Sequence, residues 1–323
     1  MKIKKIKIID LFAGIGGIRI GCEQAAKELD IDTKCVFTSE IDSACRKTYK
    51  NYFGDTHINE DIKFLTKTEK ETKKIPQHDI LLAGFPCQAF SHAGHKKGFD
   101  DTRGTLFFDI LKILQFKKPK MFLLENVGHL RGHDSGRTLK IMLKKLRSLN
   151  YYVPEPEILN AKDFGLPQGR RRIFIVGFNK ENKSFVFPSK LQIPTKVGDI
   201  LEKGKIKKEY IISPRLWKSH KARKERNLKR GWGFGYSLFD KNDSHTRTLS
   251  ARYYKDGSEI LISCGKNNEP RKLTPKECSN LQGFPADFEP HESKVEAYKQ
   301  FGNSVPIPVV KEVFKKMLIS SFK

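Results

Sequence analysis

The chain has 323 residues, of which 38% are hydrophobic and 11% aromatic, which excludes a disordered polymer and leaves room for two domains. No run of about 18 apolar residues occurs, so no membrane-spanning helix is predicted. Net charge is +25, from 62 Lys and Arg against 37 Asp and Glu, and a field that positive favours a polyanion, nucleic acid first.

Ile6 to Phe12 is a short β-prone run, followed by Ala13-Gly14-Ile15-Gly16-Gly17 and by Ile18 to Leu29 at helical spacing. Strand, glycine turn and helix open a Rossmann-like βαβ unit. The next strand, Cys35-Val36-Phe37-Thr38, ends in Ser39-Glu40-Ile41-Asp42, where an acid is placed to take a ribose diol. Two adenosine-bearing cofactors stay open at this point: a nicotinamide dinucleotide and S-adenosylmethionine. A helix is predicted from Ser43 to Tyr52. Asp61 and Ile62 then fall where a third strand should end. Asp61 can accept from an adenine amino group or merely cap a helix. The fourth strand, apolar from Ile80 to Ala83, breaks at Gly84 and Pro86. Cys87 follows at that strand's C-terminal lip, where a doubly wound sheet puts its ligands. A lone cysteine is otherwise a small buried hydrophobe.

Gln88 to Arg103 is a polar loop with Gly94, Gly98, His92, His95, Lys96 and Lys97. Loops of that length in compact domains commonly act as lids, and these lysines can reach phosphates. A helix follows from Thr105 to Phe116. A fifth strand, Lys120 to Leu124, ends in Glu125-Asn126-Val127, on the lip that carries Cys87. Arg137 to Leu149 reads as a basic amphipathic helix and Tyr151 to Leu159 as a strand. Arg170-Arg171-Arg172 leads into the buried strand Ile173 to Gly177, and counted as strand, Arg170 and Arg172 share a face. From Ser184 to about Asn268, scattered Gly and Pro with dense Lys and Arg predict a second, β-rich domain built for a groove. It contains the basic stretch Lys218 to Arg230, the glycine–aromatic stretch Gly231 to Tyr236, and Thr246 to Tyr254. Lys272 to Lys323 turns helical again. Six cysteines without a C-x-x-C pair, and nine histidines outside zinc spacing, predict neither a metal site nor a disulfide frame, and a reducing compartment.

Taken in order, these stretches resemble one family, the bacterial DNA cytosine-5 methyltransferases of restriction-modification type. The resemblance rests on Asp10 to Gly17, Ser39 to Asp42, Gly84-Phe85-Pro86-Cys87-Gln88-Ala89-Phe90-Ser91, Glu125-Asn126-Val127, Gln168 to Arg172, Arg271 to Cys278 and Gln300 to Val305. It implies an α/β fold: a Rossmann-like catalytic domain with a mixed, mostly parallel sheet, over 1–184 and 293–323. A smaller β-rich target-recognition domain and hinge would occupy 185–292. The resemblance makes S-adenosylmethionine the cofactor and S-adenosylhomocysteine the product. Phe12, Gly14, Gly16, Gly17, Glu40, Ile41, Asp61, Ile62, Pro86, Leu106, Asn303 and Ser304 would bind it. Where many relatives have an aromatic beside the acid, this chain has Ile41.

The same resemblance makes Cys87 the nucleophile that adds to cytosine C6, because C5 alone is a poor nucleophile. Glu125 would serve N3 and the exocyclic amine, and Arg172 would hold O2 with support from Arg170. Because C5 and C6 are shielded in stacked DNA, the base must be flipped out, with Gln88, Ser91, Lys96 and Lys97 serving the closing loop. Arg247, Arg252 and Tyr253 are the candidate DNA contacts of the second domain, in loops similar to those of enzymes modifying CCWGG-type and related sites. Duplex DNA is the expected partner, and a cognate restriction endonuclease would share the site without a stable complex. A cytoplasmic, nucleoid-associated monomer with no membrane contact completes the expectation. Three rivals stand beside it: a transfer-RNA cytosine-5 methyltransferase, a nicotinamide oxidoreductase, and a DNA-binding protein without activity.

Overall fold

A computed structural model describes residues 5–54, 58–59, 61–86 and 106–322. The chain divides into two compact units.

The first unit spans 1–159, 171–189 and 309–323 and is built on a seven-stranded sheet. Its elements are β1 (Ile6–Leu11), α1 (Gly17–Glu28), β2 (Thr33–Ser39), α2 (Ser43–Phe53), β3 (Ile58–Asn59), α3 (Ile62–Leu65), α4 (Glu69–Lys74), β4 (Ile80–Gly84), α5 (Leu106–Lys117), β5 (Met121–Val127), α6 (Arg137–Ser148), β6 (Glu157–Asn160) and β7 (Arg171–Phe178). The strand order is β3-β2-β1-β4-β5-β7-β6. From β3 to β5 every pairing is parallel, and β7 returns antiparallel on β5. Continuous apolar runs such as Ile80 to Ala83 are what strands buried on both faces require. The order reverses direction at β1, whose neighbours are β2 and β4, so the lip above β1 and β4 is the topological switch point where such sheets bind ligands. The main core gathers Ile9, Leu11, Leu81, Phe107, Phe122, Leu124 and Ile173 from these strands and α5. In α6, Leu139, Met142, Leu143 and Leu146 recur at helical spacing and bury one face. The strand expected over Tyr151 to Leu159 is shorter than predicted. Tyr152 makes one bridge to Phe178, and regular pairing begins only at Glu157, past Pro154 and Pro156, which lack ladder donors.

The second unit spans 160–170 and 190–308. It contains α7 (Pro214–Lys229), β8 (Leu238–Phe239), β9 (Leu261–Ile262), α8 (Pro275–Gln282), α9 (Lys294–Asn303) and the start of α10 (Ile307–Phe322). The expectation of a β-rich domain is corrected here. Among the described residues its strands are two residues long, and loop-to-loop backbone bonds such as Val197 N–H to Asp243 O (2.8 Å) do the pairing instead. The boundaries also shift from those expected. Residues 293–308 go with the second unit because α9 packs on α8: Phe301 meets Phe284 and Phe288, and Gln282 Nε2 donates to Phe301 O at 2.7 Å. The stretch 160–170 leaves the first unit because Gly169 N–H donates to Thr246 O at 2.8 Å. No helix among the described residues is long and apolar enough to cross a membrane.

Candidate active site

The glycine turn after β1 is held by its own backbone and by one acid. Phe12 sits at φ 53°, a left-handed conformation costly for a residue with a side chain, at the point where the strand gives way to the turn. Gly14 N–H donates to Glu40 Oε2 at 2.7 Å, and Asp42 N–H donates to Glu40 Oε1 at 2.8 Å. The acid at the end of β2 is thereby locked across the turn at the end of β1. Burial pushes the Glu40 carboxyl up, and the N–H bonds from Asp42 and Gly14 oppose it. Gly16 caps α1 at φ 84°, and a Cβ there would stand 2.3 Å from the Phe53 ring. Only glycine lets the turn approach α2 this closely. Gly17 is buried in the first turn of α1.

Beneath the turn lies a polar network that the sequence reading missed. Tyr49 OH donates to Asp10 Oδ2 at 3.4 Å and receives Arg19 Nη1 at 3.1 Å, and the Arg19 guanidinium lies 3.8 Å from the centre of the Phe53 ring. Asp10 is 1% exposed, and burial raises its carboxyl to about 7 against the lowering pull of Arg19 and the Tyr49 hydrogen bond. An acid flanked by Ile8, Ile9 and Leu11 in a buried stretch of strand was the available signal.

The remaining cofactor candidates fall as follows. Ile41 is 67% exposed, an apolar surface beside Glu40. Asp61 caps α3, its Oδ1 accepting Lys63 N–H at 2.9 Å, so the helix-cap alternative holds for that oxygen. Ile62 is buried in the main core, while Phe12 and Leu106 pack half-buried against it. Pro86 is exposed after β4. Asn303 and Ser304 belong to the second unit, at the end of α9.

The candidate catalytic lip is built by β4, β5 and β7. Glu125 is 7% exposed, and its Oε1 lies 3.0 Å from Arg172 Nε. Antiparallel pairing sets this: Val127 is opposite Arg172 and Glu125 opposite Phe174, so Glu125 and Arg172 are diagonal neighbours across two strands. Burial pushes the Arg172 guanidinium down from its ordinary value, and Glu125 opposes it. Asn126 is 3% exposed. Its Nδ2 donates to Phe85 O at 2.8 Å, and its Oδ1 accepts Val127 N–H at 2.8 Å. Asn126 therefore ties the end of β5 to the Phe85-Pro86 turn that leads into Cys87. The sequence alone assigns Asn126 no task. Cys87, Gln88, Ser91, Lys96 and Lys97 lie outside the described residues.

Arg170 does not share a strand face with Arg172. Strand pairing starts at Arg171, so alternation does not reach back to it, and Arg170 is 0% exposed inside the second unit. Among the DNA candidates, Arg247 and Arg252 are exposed. Arg247 lines a cleft of about 480 Å³ with Gly169, His245, Thr246, Thr248 and Glu259. Tyr253 is a correction. It is fully buried, its OH donates to Ile260 O at 2.7 Å and receives Leu273 N–H at 2.8 Å, and its ring meets Tyr298 edge-on. It is a core residue that anchors the loop, not a DNA contact.

A mostly parallel sheet with a glycine turn and an acid at the second strand end defines the class as an α/β, Rossmann-like protein with a buried Glu–Arg pair at the lip of its sheet. The chain belongs to the C-5 cytosine-specific DNA methylase family, whose model matches residues 6–318. It is 51% identical to the type II methyltransferase M.DsaV of Dactylococcopsis salina over 98% of this chain and 87% of the relative. It is 53% identical to the type II methyltransferase M.NlaX of Neisseria lactamica over 96% of each chain. Among solved structures, the Dnmt2 methyltransferase of S. pombe superposes with a TM-score of 0.77 at 19% identity, covering 98% of this chain and 99% of the other, a likeness of fold. The enzyme is a DNA cytosine-5 methyltransferase of restriction-modification type. The nicotinamide reading of the glycine turn and the reading without activity both fail against that match.

Proposed function

We propose that this enzyme methylates C5 of a cytosine flipped out of a short, near-palindromic duplex site, through a covalent adduct between Cys87 and C6. The observation that carries the reading is the buried Glu125–Arg172 pair at the lip of β5 and β7 (3.0 Å), beside a turn pinned by Asn126 and leading to Cys87. A carboxyl and a guanidinium fork, largely shielded from water, match the polar edge of a cytosine: Glu125 for N3 and the exocyclic amine, Arg172 for O2.

S-adenosylmethionine would supply an electrophilic methyl group and leave as S-adenosylhomocysteine. The residues fit its adenosine. Glu40 Oε2 accepts Gly14 N–H and Oε1 accepts Asp42 N–H, a carboxylate held in place to take ribose hydroxyls, and exposed Ile41 offers apolar cover for adenine. Asp61 would take the adenine amino group through Oδ2, and Phe12, Ile62, Pro86 and Leu106 join the set on the family resemblance. Asn303 and Ser304 join this set on the family resemblance alone.

The Cys87 thiolate adds to C6, and the ring electrons move toward C5 while Glu125 shares a proton at N3. Methylated C5 then loses its proton to a base, and the electron pair returns to expel the sulfur from C6. Gln88, Ser91, Lys96 and Lys97 would serve the loop closing over the flipped base. Arg247 and Arg252 suit guanine in the major groove, a CC-containing target following from the loops' resemblance. A restriction endonuclease reading the same site is the proposed companion.

Bisulfite sequencing of DNA from cells expressing the enzyme tests the reading. A single short CC-containing motif should carry 5-methylcytosine, and Cys87→Ala should abolish it with DNA binding retained. Turnover by Cys87→Ala would overturn the covalent role.

A further inference from the structure

Gln168 and Arg170 stand in the motif that precedes β7, yet both are 0% exposed and both reach into one loop of the second unit. The backbone around them runs alongside that loop. Gln168 bridges Thr246 in parallel register, Thr246 N–H donates to Pro167 O at 2.8 Å, and Thr248 Oγ1 donates to Gly169 O at 2.6 Å. The two side chains then take both backbone groups of one residue. Leu249 N–H donates to Gln168 Oε1 at 2.9 Å, and Arg170 Nη1 donates to Leu249 O at 2.7 Å. Leu249 lies between the two exposed arginines, Arg247 and Arg252, and is itself fully buried.

Each grip is anchored behind. Arg170 Nη2 donates to Gly302 O at 2.8 Å and also to Ser304 O, and Gln168 Nε2 donates to Leu281 O at 3.1 Å. The residue after Leu249 is held from another side. Glu259 Oε1 accepts Ser250 Oγ–H at 2.7 Å and Ser250 N–H at 3.3 Å. Gly302 closes the contact, since a Cβ there would stand 2.3 Å from the Ser250 carbonyl carbon. A guanidinium buried on backbone carbonyls has no exposed edge to offer a base.

We infer that Gln168 and Arg170 are positioning residues for the loop Thr246 to Arg252, setting how strictly the enzyme discriminates its DNA site, while Arg172 alone of the motif serves the cytosine. This rests on the reading above that Arg247 and Arg252 contact DNA. Holding the backbone between two base-reading arginines fixes where both guanidinium forks point. A bidentate contact discriminates only when its geometry is held to a fraction of an ångström.

The test uses the full-length enzyme and a plasmid library of randomised sites, read by bisulfite sequencing, with kcat, KM for DNA and Kd for S-adenosylmethionine measured alongside. Arg170→Lys, Gln168→Glu and Glu259→Gln should each raise KM for DNA and cut discrimination against singly substituted sites by about tenfold or more. Cofactor affinity should stay within about twofold. Arg172→Lys should lower kcat and leave discrimination intact. Glu259 is half-buried, so its variant keeps the idea exposed to refutation should Arg170→Lys fail to fold. The inference falls if Arg170→Lys lowers kcat alone, or if Gln168→Glu and Glu259→Gln leave discrimination unchanged while Arg247→Ala and Arg252→Ala alter it. If Arg247→Ala and Arg252→Ala change nothing, it is the DNA-reading role of the loop that fails.

Discussion

Asp10 and Asn126 are buried polar side chains whose partners lie on neighbouring elements, Tyr49 of α2 for one and the Phe85 carbonyl after β4 for the other. Asn126 satisfies Phe85 O with a buried amide, so Asn126→Ala would strip a buried carbonyl of its donor. We expect a loss of about 1–3 kcal/mol in stability. We also expect a fall in kcat larger than any change in cofactor affinity, because the freed segment immediately precedes Cys87, the proposed nucleophile. Thermal denaturation with steady-state kinetics checks this, and an equal loss in both parameters would contradict it. Asp10 carries a pH signature. Its folded value of about 7 stands above the ordinary 3.8, so the folded state holds its proton where the unfolded chain has lost it. That contribution is whole below about pH 4 and is lost as pH rises through about 7. Asp10→Asn cannot titrate, so the stability of wild type relative to this variant should drop by roughly 1–4 kcal/mol between pH 4.5 and 8. Denaturant unfolding at the two pH values measures it. A constant difference would mean that Arg19 and Tyr49 keep Asp10 ionised throughout.

At the scale of elements, legibility followed the physics of each segment. The strands β4 and β5 were readable because burial on both faces demands unbroken apolar runs, β1 and β2 because their shorter runs are rich in Ile, Val, Phe and Thr, and Glu40 and Glu125 because each is the acid at the end of its strand's run. Arg170 was misread because strand alternation was counted from one residue before pairing begins. Its task depends on Leu249, Gly302 and Ser304, contacts too distant in sequence for any local period to reveal. The second unit was misread as β-rich because scattered Gly, Pro and basic residues mark irregular chain as readily as short strands. Tyr253, set among exposed residues in a basic loop, gave no local sign of its burial. The last helix was expected with the first domain, and from Val309 it lies there. Lys311 and Lys315 of α10 each donate to Glu28 at the end of α1, at 2.8 Å, and hold its carboxyl near 2. A depressed carboxyl contributes stability above its ordinary 4.5 that is lost as pH falls through about 2. Because Glu28 is half exposed, solvent screening limits the pair to about 1 kcal/mol or less. Glu28→Gln should lower the melting temperature by only a few degrees at pH 7 and by nothing near pH 2. A loss that persists at pH 2 would show packing, not charge, joining the two helices.

For the whole molecule, the question is how much of the +25 charge meets DNA and how much merely decorates the surface. On α7 the cations are neither uniformly free nor uniformly neutralised. Arg223 pairs with Asp256 and Lys229 with Glu225, both at 3.3 Å. Lys221 lies over Trp217, Lys224 over Tyr236, and Arg230, just past the helix end, over Trp232, which itself stacks on Phe234. Cations resting on aromatic faces keep their charge while their side chains are held in place, which suits them to phosphates without spending much further freedom on binding. Each phosphate engaged should add about −0.9 to the slope of log affinity against log salt. Lys221→Gln with Lys224→Gln should therefore flatten that slope by about two contacts' worth and weaken cognate and non-cognate duplexes alike, with site preference unchanged. Fluorescence anisotropy from low to moderate salt measures both. An unchanged slope would assign these lysines to solubility and leave the remaining basic surface to hold the DNA.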